Sequence, residues 1–386
     1  MIARALAAVF PAAEGEFSDR RVSSINQIIA AGNKRGVSGK EESHEWRNLF
    51  GPTQPPERVA SNELFLVIGW KIREEWRLDV SGSYAVDPQS LRTIFCRGVF
   101  RQPDHPVFGS RISAVPDRSD GSVNLEKTEF YVPNEYVFKV AEQHPDKFVP
   151  NISVNPYRPD AIAELEKWAK RGARIVKWLP NAMGINPSDP QCDPFYQKMK
   201  ELDLILLSHG GEEKAVEAEE DQKLGNPLLL RRALDHGVKV IVAHCAGLGT
   251  NEDLESKDRQ QRDNFDLFLR LMDEKRYEGL VFGEISAMTQ FNRIGKPLQT
   301  VLNREDLHER LVNGSDYPLP AVNILIRTRP LVKHGHLTRS EGECLREIYD
   351  YNPLLFDFVL KRTLKRPGTS KILPAALFMT NPALSV

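Results

Sequence analysis

Apolar runs of strand length alternate with amphipathic segments of helix length from residue 131 to residue 365 of this chain. Runs such as LILLSH and VKVIVAH are short and rich in branched residues, as buried strands are, whereas RPDAIAELEKWAKRG repeats its apolar residues at helical spacing. The pattern predicts strands over 148–157, 174–181, 204–209, 238–244, 280–286 and 311–316. It predicts helices over 132–145, 158–172, 193–201, 226–237, 264–275 and within 297–310, and then over 322–333, 340–349 and 353–364.

The predicted strands end in polar side chains at regular intervals. Lys177, His209, His244, Glu284 and Asp316 follow one another at 32, 35, 40 and 32 positions, the length of a strand, a helix and two loops. Polar residues at the C-terminal ends of consecutive strands are typical of TIM-barrel active sites. The sequence therefore predicts an α/β protein with a (β/α)8 TIM-like barrel. A doubly wound open sheet is the alternative, but the glycine-rich phosphate loop after its first strand is absent.

The first 120 residues carry no sustained periodicity and contain several proline-rich loops. Candidates for the first two barrel strands are 64–70 and 110–116, and 22–31 is a candidate helix. The sequence thus predicts an irregular N-terminal region over 1–120 that contributes the first strands, a barrel over 121–365, and a loose C-terminal tail over 366–386.

Composition narrows the class of protein. The chain has 52 Lys and Arg against 53 Asp and Glu, so it lacks the basic surface that nucleic acid and anionic membranes require. Four widely spaced cysteines are typical of reduced thiols in a cytoplasmic protein. The N-terminal MIARALAAVFPAA resembles a signal peptide only faintly, because Pro11 interrupts its apolar run. We expect a cytoplasmic protein with a small-molecule partner. The apolar segment 322–331 suits either the core or a homo-oligomer interface.

Three of the polar residues are candidates for catalysis or metal binding. His209 and His244 lie one strand and one helix apart, and an imidazole either binds a divalent metal or moves protons near neutral pH. The alternative is a hydrogen-bonded histidine at the start of a loop. Asp316 precedes a turn, so it either caps the next helix or acts as a metal ligand or proton acceptor.

Two further residues are candidates for substrate binding. Lys177 ends a buried strand, where an unpaired ammonium is costly, so it either holds a substrate carboxylate, bridges metals once carboxylated, or reaches solvent. Glu284 either contacts substrate or pairs with a neighbouring Arg or Lys side chain. Glu212 and Glu213 are expected to be solvated loop charges.

The motifs VKWLPN, LLSHGGEE, VIVAHC, FGEIS and NGSDYPLP, in this order, resemble those of the amidohydrolase superfamily. More narrowly, they are similar to the amidohydrolase-related metal-dependent hydrolases that include aminocarboxymuconate-semialdehyde decarboxylase. The resemblance covers 120–365 and implies a distorted TIM barrel with a divalent ion, usually zinc. His209 and Asp316 match metal ligands. His244 matches either a second-metal ligand or the acid/base that activates water, and Lys177 matches the strand-four lysine that two-metal members carboxylate.

The chain departs from this family at its start, where members carry an HxH pair that supplies two further ligands. No HxH occurs in the sequence, and the N-terminal region offers His44 and His105 singly. Three explanations stay open: an inactive relative, a metal bound through His44 or His105, or an N-terminal region that is not the family's own. The sequence predicts a metal-dependent hydrolase, with His244 and Asp316 catalytic, that attacks an ester, amide or lactone carbonyl of a small molecule. The alternatives are non-hydrolytic decarboxylation of a small carboxylate on the same site, or a relative without activity.

Overall fold

The computed structural model describes residues 78–81, 84–85, 93–94 and 97–99, and residues 132–384 except 144, 146–147, 216–217, 318 and 323. Four short strands come first: β1 (Leu78–Ser81), β2 (Tyr84–Ala85), β3 (Thr93–Ile94) and β4 (Arg97–Val99). They pair as β1 with β4 and β2 with β3. The predicted elements at 22–31, 64–70 and 110–116, and both His44 and His105, lie outside the described residues.

Six further strands lie where the apolar runs predict them: β5 (Asn151–Ile152), β6 (Ile175–Trp178), β7 (Ile205–His209), β8 (Val240–Ala243), β11 (Val281–Glu284) and β12 (Leu311–Val312). Two more, β9 (Thr250–Glu252) and β10 (Gln261–Asp263), lie outside the predicted runs. The strands β9 and β10 form a separate antiparallel hairpin in the connection after β8.

The other six strands form one parallel sheet in the order β5-β6-β7-β8-β11-β12. Each strand pairs with the next one of the sheet in sequence, so the described sheet has no reversal of strand order. That reversal creates the binding crevice of a doubly wound sheet. Sequential parallel order with helical connections is the arrangement of a (β/α) barrel.

Helices connect the strands and close the chain. They are α1 (Asn134–Gln143), α2 (Ala161–Lys170), α3 (Pro180–Met183), α4 (Asp193–Glu201), α5 (Arg231–Asp235), α6 (Asn264–Asp273), α7 (Lys296–Asn303), α8 (Thr328–Lys333), α9 (Arg339–Tyr351) and α10 (Pro353–Thr363). In α2 the buried residues Ala161, Leu165 and Trp168 recur at helical spacing, which explains why this segment packs as a helix. No helix of the described region is long and apolar enough to cross a membrane.

Two predicted helices begin at least five residues later in the structure than the sequence predicts. The segment 322–333 is helical only from Thr328, which places Pro330 in the first turn, where its missing N–H breaks no helical hydrogen bond. The segment 226–237 begins with a 3₁₀ turn, Pro227–Leu230, and becomes α5 at Arg231. The Asn226 side chain accepts a hydrogen bond from the backbone N–H of Leu228 and so caps that turn.

The C-terminal segment is packed rather than loose. Leu384 is buried in the same cluster as Ile175 and Ile205, the first residues of β6 and β7. Lys239 donates to the carbonyl oxygen of Ala383 at 2.8 Å, and Asn313 N–H donates to that of Leu377 at 3.2 Å. The expectation of a loose tail is therefore corrected, because spaced leucines bury apolar area without regular secondary structure.

Candidate active site

Alternation along the strands aims three of the predicted residues at the same face. Side chains on a strand point to opposite faces in turn, so residues two positions apart share a face. One buried cluster marks the inner face; it includes Ile175, Ile205, Leu207, Ile241 and Phe282. Lys177, His209 and Glu284 each follow a member of that cluster by two positions. They therefore continue the inner face at the C-terminal ends of β6, β7 and β11.

The turn after β7 needs glycine and brings a buried carboxylate beside His209. Gly211 has φ +88°, and a Cβ there would lie 2.6 Å from the carbonyl oxygen of Leu248. Glu213 Oε2 lies 3.5 Å from His209 Nδ1, and both side chains are 5% exposed. The expectation that Glu213 is a solvated loop charge is thus corrected, because the turn folds it back over the sheet. Glu212 lies nearer solvent and pairs with Lys214 at 3.2 Å.

The chain turns in a left-handed conformation directly after β8. His244, Cys245 and Ala246 have φ values of +57°, +49° and +50°. Left-handed backbone costs about 1–2 kcal/mol per non-glycine residue and rarely extends over consecutive residues. The turn places the His244 ring centroid 5.3 Å from that of His209. Strain of this kind is characteristic of functional sites.

A hydrogen-bonded chain holds the His244 imidazole in place. Its Nδ1 lies 2.7 Å from Ser286 Oγ, and the Ser286 hydroxyl donates to Glu284 Oε2 at 2.7 Å. Glu284 also accepts from the backbone N–H groups of Ser286 at 2.6 Å and His244 at 3.3 Å. With Glu284 ionised, Nδ1 of His244 donates to Ser286, which leaves Nε2 as a proton acceptor.

Asp316 faces the other side of the same imidazole. Its Oδ2 lies 3.8 Å from His244 Nε2, and its φ of +53° is again left-handed. This distance is too long for a direct hydrogen bond and suits a bridging water. Asp316 therefore stands where a proton on Nε2, or a water beside it, can be stabilised.

Burial and nearby cations keep His244 neutral. Burial lowers the pKa of His244 well below its usual value, and the charges of Arg293, His209 and Lys177 lower it further. Burial also raises the pKa of Glu284, which the hydrogen bond from Ser286 opposes. A neutral imidazole with its Nδ1 hydrogen-bonded is suited to accept a proton at Nε2.

The structure gathers four of the predicted residues, His209, His244, Glu284 and Asp316, and the charge of Lys177 acts on His244. Their assigned roles stay predictions. Glu284 is 2% exposed, and its carboxylate oxygens accept from Ser286 and His244, so its observed contacts are those of a positioning group.

Sequence reasoning did not single out Ser286 and Arg293 and assigned Glu213 to solvent. Strand alternation could have indicated Ser286, since it follows Glu284 by two positions and so continues the same face. Arg293 and Glu213 lie in loops, where no such alternation indicates which side chains face the site.

The predicted metal requires several ligands around one point. Within the described residues, no group of three or more His, Cys, Asp and Glu side chains is arranged to hold a metal ion. His244 Nε2 and Asp316 Oδ2 are two facing donors 3.8 Å apart, whereas catalytic zinc sites use three protein ligands. The described residues thus do not complete a metal site by themselves. Zinc, with His209, His244 and Asp316 as its ligands, stays a prediction.

Similarity to known proteins now identifies the family. The sequence profile of the family described as Amidohydrolase matches residues 114–334, more than half of the 386 residues. The chain belongs to the amidohydrolase family. Membership and the sequential parallel sheet confirm the predicted α/β TIM-barrel fold and the predicted resemblance. No curated protein matches the sequence.

Solved structures show more distant likenesses. An uncharacterised TIM-barrel protein from Bordetella bronchiseptica is 17% identical, with 59% of this chain and 73% of that chain covered and a TM-score of 0.38. A 4-oxalomesaconate hydratase from Rhodopseudomonas palustris is 18% identical, with 60% and 71% covered and a TM-score of 0.34. A 5-carboxyvanillate decarboxylase from Sphingomonas paucimobilis is 10% identical, with 60% and 69% covered and a TM-score of 0.31. These likenesses carry no argument about the reaction of this chain.

Proposed function

We propose that this amidohydrolase-family protein hydrolyses an ester, amide or lactone of a small molecule, with His244 as the general base. The observation that carries the proposal is the oriented imidazole. Ser286 and Glu284 fix Nδ1 of His244, and Nε2 faces Asp316 across 3.8 Å. A positioned base of this kind contributes typically about 10²–10⁴-fold to rate.

The reaction divides into two proton transfers. A water between Nε2 of His244 and Oδ2 of Asp316 loses a proton to Nε2 as its oxygen bonds to the substrate carbonyl carbon. The imidazolium then gives that proton to the leaving oxygen or nitrogen as the bond to the carbonyl carbon breaks. Asp316 stabilises the imidazolium between the two transfers.

The tetrahedral intermediate carries a negative charge on the former carbonyl oxygen. Lys177 is a cation at the C-terminal end of β6 whose charge acts on His244. A fixed positive charge in a site sheltered from water stabilises such an oxyanion. We therefore assign Lys177 to substrate binding, in agreement with the role that the sequence predicts for it.

A divalent ion, which membership of the family implies, would activate the attacking water and polarise the carbonyl. Because the described residues do not complete a metal site, the steps above use side chains of this chain alone.

Non-hydrolytic decarboxylation is less well supported by the geometry. That reaction must deliver a proton to the carbon that loses carbon dioxide. Because the Ser286 hydroxyl donates to Glu284, Ser286 is left to accept from Nδ1 of His244, which assigns the proton of the neutral imidazole to Nδ1 rather than to Nε2. The imidazole is therefore set to take a proton first, as hydrolysis requires.

Isotope labelling distinguishes the two reactions. Esters, amides and lactones of small organic acids are incubated with the protein in H₂¹⁸O and in D₂O. We expect one ¹⁸O in the acid product, no carbon dioxide, and loss of turnover in His244→Asn. The control His308→Asn, at a half-buried histidine that contacts the Val301 carbonyl oxygen outside the site, should keep its turnover. Carbon dioxide release with deuterium on carbon would contradict the proposal, and so would full activity of His244→Asn.

A further inference from the structure

The loop between β11 and α7 buries a guanidinium that has no carboxylate partner among the described residues. Arg293 is 6% exposed. Within the part of the chain that the structure describes, it forms no ion pair, its Nη1 donates to Gln290 Oε1, and its Nε has no hydrogen-bond partner. Buried charged groups are normally paired, because an isolated buried ion loses its hydration without compensation.

Arg293 lies against the turn that carries His244. A Cβ added at Gly247 would lie 3.0 Å from the His244 carbonyl oxygen and 3.5 Å from Arg293 Cδ. The charge of Arg293 lowers the pKa of His244, and the charges of Asp316, Glu213 and Glu284 act in turn on Arg293. The guanidinium therefore belongs to the electrostatic cluster of the site, although none of its carboxylates forms an ion pair with it.

A second buried donor lies beside the arginine. Gln290 is 5% exposed, and its Nε2 has no hydrogen-bond partner in the described part of the chain, while its Oε1 accepts from Arg293. The hydroxyl of Thr289, in the same loop, is fully buried and also lacks a partner among the residues that the structure describes. Unsatisfied buried donors are costly in a folded protein and cluster where a ligand supplies the missing acceptors.

We propose that Arg293, together with Gln290, binds a carboxylate group of the substrate beside His244. A carboxylate offers two acceptor oxygens, and a guanidinium donates to both in parallel, with strength that a buried site increases. The substrate class is then a small molecule that carries both a hydrolysable carbonyl and a carboxylate. The inference rests on the proposed function, because the reacting carbonyl of the substrate must lie beside His244 for its carboxylate to reach Arg293.

Calorimetric titration with malonate tests the inference without turnover. Malonamide serves as the uncharged probe of the same shape. Wild-type protein is expected to bind malonate at least tenfold more tightly than malonamide. Arg293→Gln should weaken malonate binding at least tenfold, and Arg293→Lys severalfold, because lysine keeps the charge but loses the paired donors.

The matched control is Arg362→Gln. Arg362 is also a buried arginine, 7% exposed, but it donates to the Leu373 carbonyl oxygen and lies over Phe378. Its replacement should leave malonate affinity unchanged. If Arg293→Gln does not fold, the affinity of Arg293→Lys decides the question.

Three results would overturn the inference: no malonate binding by the wild type, equal affinity for malonamide, or wild-type affinity in the Arg293 variants. The proposed function fails in a different way. Wild-type protein that binds malonate through Arg293 but hydrolyses no carboxylate-bearing ester, amide or lactone would contradict the hydrolase proposal alone.

Discussion

The ammonium of Lys361 donates a hydrogen bond to the carbonyl oxygen of Gly314 at 2.6 Å. The same ammonium pairs with Asp357 Oδ2 at 2.6 Å, and both side chains are almost completely buried. Gly314 lies two residues before Asp316 in the loop after β12. Helix α10 therefore holds the loop that presents Asp316 to His244, so this buried ion pair supports the site as well as the core.

Lys361→Met tests this support. Removing one partner of a buried ion pair costs about 3–5 kcal/mol, because the remaining charge is left uncompensated. Burial raises the pKa of Asp357. The folded state of the variant therefore binds a proton more readily than the unfolded state, and its stability should fall as pH rises through the folded pKa. Urea unfolding at several pH values measures this.

The control for that variant removes both charges. Lys361→Met combined with Asp357→Leu should recover most of the lost stability and abolish the pH dependence. Both the single and the double variant should turn over substrate more slowly than the wild type, because the hydrogen bond to the Gly314 carbonyl oxygen is missing in both. If Lys361→Met is as stable and as active as the wild type, the Lys361–Asp357 pair supports neither the fold nor the loop that carries Asp316.

Ser286→Ala is expected to lower kcat about a hundredfold with little change in KM, since misplacing a catalytic group by about 1 Å costs on that order. The variant removes the hydroxyl between His244 and Glu284 without touching substrate. Steady-state kinetics on a substrate from the labelling experiment measure the change.

Ser208→Ala is the matched control for Ser286→Ala. Ser208 is also fully buried, but its hydroxyl donates to the carbonyl oxygen of His209. The kcat of Ser208→Ala should stay within a few-fold of the wild-type value. Equal losses in both variants would mean that Ser286 has no special role in orienting His244.

Ala246→Gly should stabilise the protein by up to about 1 kcal/mol, because glycine adopts the left-handed backbone at +50° without the steric cost of a Cβ. Denaturant unfolding measures the effect. Ala243→Gly, three residues earlier in the extended backbone at the end of β8, should be destabilising instead. Destabilisation by Ala246→Gly would argue that the turn after β8 is not strained.

Elemental analysis tests the predicted metal. Protein expressed in zinc-supplemented medium should carry about one equivalent, since the family resemblance implies one catalytic ion per site. His209→Ala and Asp316→Ala should lose it, and His308→Asn should keep it. Metal-free wild-type protein would contradict the prediction, and retention in both alanine variants would assign the ion to other ligands.

Much of the architecture was predictable because strand alternation and helix periodicity are local properties of the sequence. All six strands of the described sheet fall within predicted runs, and α4 has the predicted bounds. Most other helix boundaries shifted by one to three residues, and the largest shifts lie at Pro227 and Pro330, where proline favours a 3₁₀ turn or a late helix start over a continuous helix. The packed C-terminal segment was not predictable, because its leucines follow no period.

The sequence by itself determined which side chains stand at the ends of the strands, because a period of two assigns Lys177, His209 and Glu284 to one face. It also determined the family, through motifs in a fixed order. Only the tertiary structure decided that Glu213 returns to His209 and that Ser286 joins His244 to Glu284. It also decided that Arg293 is buried near them with no ion pair to any described residue. These contacts depend on loop paths and on left-handed turns, which arise from packing between distant segments and leave no period in the sequence.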